Sequence, residues 1–257
     1  MSRAADDART YAEIAVDRRV RLGMLTPSSN TVLEAVCAAM LAESPEVSAH
    51  YSRFRVTEIR ASEAADAQFA GETMLAAAML LADARMHAIC WNGTSASWLG
   101  LGRDRDLCAA ITRATRTPAI SATLATYDVL KRAGARRLGL VTPYLDEVQA
   151  KIVDQFARQG FDVSAERHLG LADNFAFAEV PARDVAEMIR AVADQGCDAA
   201  LVLCTNFCGA PVAAALEAET GVLVIDSVAA SVWGALRAAG LSTAPLHGWG
   251  RMFQDFD

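Results

Sequence analysis

Short apolar runs bounded by turn residues alternate with helical patterns of ten to fifteen residues along most of this chain. The runs fall at 20–25, 49–56, 87–92, 118–121, 137–142, 161–165, 199–204 and 222–226. Strands alternating with helices imply βαβ units, and so an α/β fold with mostly parallel sheet flanked by helices on both faces. In open parallel sheets, ligands sit beyond the carboxyl ends of the strands. Four polar clusters lie at such ends: TPSSNT (26–31), NGTSAS (92–97), TPY (142–144) and CTN (204–206).

The pattern repeats itself once. RLGMLTPSSNTVLEAV (21–36) matches RLGLVTPYLDEVQAKI (137–152), and MHAICWNGTS (86–95) matches CDAALVLCTN (197–206). In the second register Gly93 faces Cys204 and Thr94 faces Thr205. A third pair sets 117–134 against 221–240; each is a short strand, a polar turn and a helix ending at Ala-Gly. Three matches in one order argue for two homologous halves, and the period is too long for a solenoid. The expected organisation is a polar extension over 1–18, pseudo-symmetric lobes over 19–120 and 121–240, and a tail over 241–257. The last helix is free to cross back to the first lobe. Equivalent loops then face each other across a cleft, where the site is expected.

A chain of 257 residues that is 53% hydrophobic can bury a sizeable core. Its 24 basic and 31 acidic residues, net charge −7, offer no basic face for phosphates and argue against a nucleic-acid partner. The stretch MLAAAMLLADA (74–84) is too short to span a bilayer, so no membrane partner is expected. The polar N-terminal segment lacks the apolar core of a signal peptide, which points to a cytoplasmic location. Six cysteines (37, 90, 108, 197, 204, 208) follow no disulfide framework and read as free thiols. The four histidines are scattered, so no metal site is expected. Dinucleotide, P-loop, zincin and Ser-His-Asp signatures do not occur.

NGTSAS opens a helix. Thr94, Ser95 and Ser97 either cap it or, with free backbone N–H groups, form an anion hole for a carboxylate. Gly93 lets a ligand approach the backbone, or simply turns the chain. CTN repeats the design with a thiol. Cys204 ends a strand ahead of a helix whose dipole is expected to lower its pKa; the plainer alternative is a buried, inert cysteine. Cys90, inside the strand, reads as core or as a residue just behind the site. Tyr144 follows a strand and either reaches the cleft with its hydroxyl or serves as an aromatic lid. Ser28, Ser29 and Asn30 are split between capping and binding, and the loop holding Asp173 and Asn174 has no assigned role.

PSSNT, GTSxS, TPY and C-T-N, in this order on a duplicated chain, resemble the aspartate/glutamate racemase superfamily. The resemblance is to its branch of maleate cis-trans isomerases and arylmalonate decarboxylases, and it spans nearly the whole chain. It implies two Rossmann-like lobes, a site between them and no cofactor. Two-cysteine members carry a thiol from each lobe. This chain has Gly93 at the first position and Cys204 at the second, which resembles the decarboxylases.

The resemblance implies that Thr94, Ser95, Tyr144 and the backbone of Cys204 and Thr205 hold one carboxylate of a disubstituted malonate. The other carboxylate leaves as carbon dioxide, the cradle stabilises an enediolate, and Cys204 protonates one face as a general acid. The SSN of the first cluster and the Thr205-Asn206 pair resemble the isomerases instead. Asn30 and Asn206 would then bind a second carboxylate, with Cys90 as substitute thiol. The leading expectation is decarboxylation, followed by an isomerase or racemase of a small dicarboxylate, then a two-lobed small-molecule binding protein. The expected partner is a small carboxylic or dicarboxylic acid, with a homo-oligomer left open.

Overall fold

The structure, a computed structural model, describes residues 19–257. The extension expected over 1–18 lies outside the described residues. All eight apolar runs form strands. The first sheet has order β2-β1-β3-β4, built from β1 (Val20–Pro27), β2 (Val47–Phe54), β3 (Ala88–Trp91) and β4 (Ala119–Ser121). The second has order β6-β5-β7-β8, from β5 (Arg137–Thr142), β6 (Asp162–His168), β7 (Ala199–Val202) and β8 (Leu223–Asp226). Every pairing is parallel. All residues of β3, β7 and β8 are buried, as expected for strands covered on both faces.

The repeated Arg-Leu-Gly has a packing cause. A Cβ added at Gly23 would lie 2.9 Å from Cγ of Met86, and one at Gly139 would lie 2.7 Å from Cγ2 of Val192. Glycine therefore lets the covering segment close onto the central strand in each half. The helix Ser227–Ala238, which follows β8, packs on β3 and β4 of the first sheet and along the helix Ala122–Arg132. It is buried from Ser227 through Leu236, so it is core to both halves.

In each sheet the chain order reverses beside the lobe's first strand, since β1 lies between β2 and β3, and β5 between β6 and β7. A crevice opens at the carboxyl ends of such strands. The loops after β1, β3, β5 and β7 are the four polar clusters, and they face one another between the lobes. An antiparallel bridge between Glu58 and Asp173 also joins the halves. The N–H of Ile59 donates to the Ala172 carbonyl (2.9 Å), and the N–H of Asn174 donates to that of Thr57 (3.0 Å). Among the described residues no helix is long and apolar enough to cross a membrane.

Candidate active site

Six of the residues singled out in the sequence line one small cavity: Gly93, Thr94 and Ser95 from the first lobe, Tyr144, Cys204 and Thr205 from the second. Its volume is about 20 Å³, the room of a single water. The other walls are Pro27, Val56, Ile59, Phe69, Trp91, Trp98 and Asn174. The site is thus a polar floor under an apolar and aromatic roof.

The floor carries hydrogen-bonding capacity that the protein leaves unused. Ser95 starts the helix Ala96–Leu99 without capping it through its side chain. Among the described residues, the backbone N–H groups of Thr94, Ser95, Cys204 and Thr205 meet no protein acceptor, although all four residues are buried. Orphaned buried N–H groups are rare, and these four stand around one cavity with their donor capacity unused. The Thr94 and Tyr144 hydroxyls lie 2.9 Å apart across the lobe boundary. The indole Nε1 atoms of Trp91 and Trp98 are also buried without partners.

Cys204 is 3% exposed, and burial pushes its thiol up to about 12. The Tyr144 hydroxyl and the N–H of Asn206, which donates to Sγ at 3.4 Å, pull the other way. This corrects the expectation of a depressed pKa. The following helix begins only at Ala210, and the carboxyl of Asp226 sits at that end, accepting the N–H of Gly209 at 3.2 Å. The helix terminus is therefore engaged by a carboxyl, whose charge opposes a thiolate. Cys204 is a thiol at neutral pH.

Asn30 and Asn206 lie beside the cavity and do not line it. Nδ2 of Asn30 donates to the carbonyl (3.1 Å) and hydroxyl (3.2 Å) of Thr205, while its Oδ1 accepts the N–H groups of Val32 and Leu33. Oδ1 of Asn206 accepts from Thr31 and Val32, and its Nδ2 donates to the Asn174 carbonyl. Both amides are taken up in joining the lobes. The Thr205 hydroxyl continues the seam, donating to the Asn92 carbonyl at 3.0 Å. Asn174, whose loop had no assigned role, belongs to the same seam through Nδ2, which donates to Ser29 Oγ (2.8 Å).

Gly93 is a steric requirement. A Cβ added there would lie 2.0 Å from Cζ2 of Trp91, well inside van der Waals contact. Trp91 was not singled out in the sequence, although residues i and i+2 of an extended segment share a face.

A sequence profile described as arylmalonate decarboxylase matches residues 33–253. The chain belongs to that family. A maleate isomerase of Pseudomonas putida is 28% identical over 233 residues, covering 86% of this chain and 92% of that protein. An arylmalonate decarboxylase of Bordetella bronchiseptica is 29% identical over 166 residues, covering 63% and 69%. Among solved structures, a cysteine-to-serine variant of Nocardia farcinica maleate cis-trans isomerase matches with TM-score 0.83 and 27% identity, covering 91% of this chain and 97% of that one. That structure holds a covalently bound succinylcysteine intermediate. The relatives are enzymes, and they divide between isomerase and decarboxylase.

Within this arylmalonate decarboxylase-family site the first lobe offers no substitute thiol. Cys90 is wholly buried in β3, faces Ser231 of the helix Ser227–Ala238, and is absent from the cavity walls. Among the described residues no three His, Cys, Asp or Glu side chains cluster as metal ligands.

Behind Gly93 lies a buried acid. The Thr123 hydroxyl donates to the Gly93 carbonyl (3.3 Å), and the neighbouring Asp104 is left with a buried, unpartnered Oδ2. Burial raises the Asp104 carboxyl from 3.8 to about 7, against the pull of Ser121 and Thr123. A carboxyl raised in the folded state contributes its full stability below the unfolded value and loses it as pH climbs through the folded one. Stability is therefore expected to fall between about pH 4 and 7, by at most roughly 4 kcal/mol from Asp104. Urea unfolding of wild type and Asp104→Asn at pH 5 and 7.5 checks this. The variant should show the smaller pH difference, with Asp226 and Glu217, both raised by burial, acting in the same direction.

Proposed function

We propose that this member of the family decarboxylates a substituted malonate, with Cys204 as its single proton donor. The observation that carries the reading is the pairing of Gly93 with Trp91: the first-lobe position faces the cavity with an indole where a second thiol would otherwise stand. One carboxylate lies on the N–H groups of Thr94, Ser95, Cys204 and Thr205, with the Thr94 and Tyr144 hydroxyls beside it. The other lies against the apolar roof, where a neutral product is favoured over an anion. The C–C bond breaks, carbon dioxide departs without the bonding pair, and the pair passes into an enediolate held by the cradle. Sγ–H of Cys204 gives its proton to the α-carbon from one face. The thiolate recovers a proton from solvent, and the product is of one hand.

A second reading, cis-trans isomerisation of a small dicarboxylate, draws on the maleate isomerases among the relatives. It needs a nucleophilic thiol and polar groups for a second carboxylate. The raised pKa of Cys204 and the engaged amides of Asn30 and Asn206 weigh against it.

Proton NMR in D2O, with an aryl(methyl)malonate and separately with maleate, separates the two. The expected result is a 2-arylpropionate carrying one deuterium at the α-carbon, with maleate unchanged. Fumarate formed from maleate without any monoacid would overturn the decarboxylase reading in favour of the isomerase. Two unchanged spectra would overturn both.

A further inference from the structure

The ring of Trp91 is wholly buried at the carboxyl end of β3. It packs against Phe54 (centroids 5.1 Å apart) and Phe69 (6.2 Å). Against Gly93 it presents Cζ2, Cη2 and Cε2, at 2.0, 2.5 and 2.6 Å from where a Cβ would stand. A ring so confined does not turn aside without cost, because packed interiors yield by tenths of an ångström. Trp91 also lines a second space. A groove of about 450 Å³ runs between the helices Gly71–Asp83 and Leu101–Thr115, with Met74 and Leu107 among its apolar walls and Glu72, Arg103, Asp104 and Asp106 also lining it. Phe69, Trp91 and Ser95 line both this groove and the cavity at Cys204. The indole therefore stands between a space for one water and a space of the size that holds a small organic molecule.

We propose that Trp91 is the specificity-determining residue of this site, a fixed partition. It takes the space of any side chain at position 93 and closes the reaction cavity off from the groove behind it. The first consequence is chemical, since the site is confined to one thiol. The second concerns size: the cavity has to open to take any arylacetate, and with Trp91 fixed it cannot open into the groove, so an acid whose ring would extend there is refused and an acid with a smaller ring is accepted. The second consequence rests on the carboxylate-binding part of the function proposed above; the first stands on packing alone.

The test uses Gly93→Cys, Trp91→Leu and the double variant, compared by melting temperature. Binding of phenylacetate and 2-naphthylacetate to wild type and Trp91→Leu is then measured by calorimetry. Gly93→Cys should lower the melting temperature by roughly 5 °C when Trp91 is present, and by much less beside Trp91→Leu. The preference for phenylacetate over 2-naphthylacetate should shrink at least tenfold in Trp91→Leu. If that variant fails to fold, Trp91→Phe makes the same comparison with a smaller expected change. Strictly additive melting shifts, or an unchanged ring-size preference, would overturn the partition. These readouts need no turnover. Wild type that leaves arylmalonates untouched would defeat the decarboxylase reading and leave the melting comparison standing.

Discussion

Replacing Cys204 with alanine is expected to lower kcat for decarboxylation by roughly 10²–10⁴-fold, the range for loss of a positioned general acid. Whatever product remains should be racemic. The side chain sits just beyond β7 among residues of both lobes, and in the proposed reaction it is the group that gives its proton to carbon. The Thr94 and Tyr144 hydroxyls are engaged with each other and with the bound carboxylate, so without the thiol water is expected to protonate the enediolate, and water has no fixed side. Stability should change by no more than about 1 kcal/mol, because a small buried side chain is exchanged for a smaller one without breaking the seam at Asn30 and Asn206. Chiral chromatography of the residual product, together with the melting temperature, checks both parts. A variant that keeps wild-type enantiomeric purity would remove Cys204 from the role. The pH dependence belongs to the same argument. A thiol pushed up to about 12 is protonated throughout the neutral range, so its titration should leave kcat level between pH 6 and 9. A nucleophilic thiolate would instead make the rate climb with pH.

The fold was legible because parallel strands buried on both faces read as plain apolar runs, and because the chain carries its half-unit twice. The loops of the site were legible for the same reason: polar clusters at carboxyl ends have one place to go in such a sheet. What was hidden arises between segments far apart in sequence. The amides of Asn30 and Asn206 look like ligand-binding groups until the other lobe's backbone is beside them, 175 positions away in one pair. The thiol of Cys204 looks activated by a helix start until Asp226 is seen to cap that helix. Asp104 looks like an ordinary first-turn helix acid until it proves to lie on the helix's buried face, with Leu101, Leu107 and Cys108. The one missed feature that the sequence did display is Trp91 two residues before Gly93. An extended segment puts both on one face, and the smallest residue beside the largest is a packing statement.

Tyr144→Phe is the other large expected effect, a loss of about 10²–10³-fold in kcat with little change in KM. The tyrosine ring is fixed independently of its hydroxyl. It meets Trp98 and Phe177 edge-on, with centroids 5.5 Å away in each case, and phenylalanine keeps both contacts. The substitution therefore removes one oxygen and leaves the wall in place. That oxygen lies 2.9 Å from the Thr94 hydroxyl and faces Cys204, so it touches both the cradle and the acid. A donor aimed at charge that appears only in the transition state acts on kcat, and removing one such donor costs about 10²–10³-fold. The same hydroxyl stabilises the thiolate left after protonation, because its hydrogen bond lowers the Cys204 pKa. Without it the thiol becomes a still weaker acid, and protonation slows along with decarboxylation. A rise in KM at constant kcat would mean that Tyr144 only helps to bind the ground-state carboxylate. Unchanged kinetics would make it an aromatic lid, the alternative that its place after a strand first suggested.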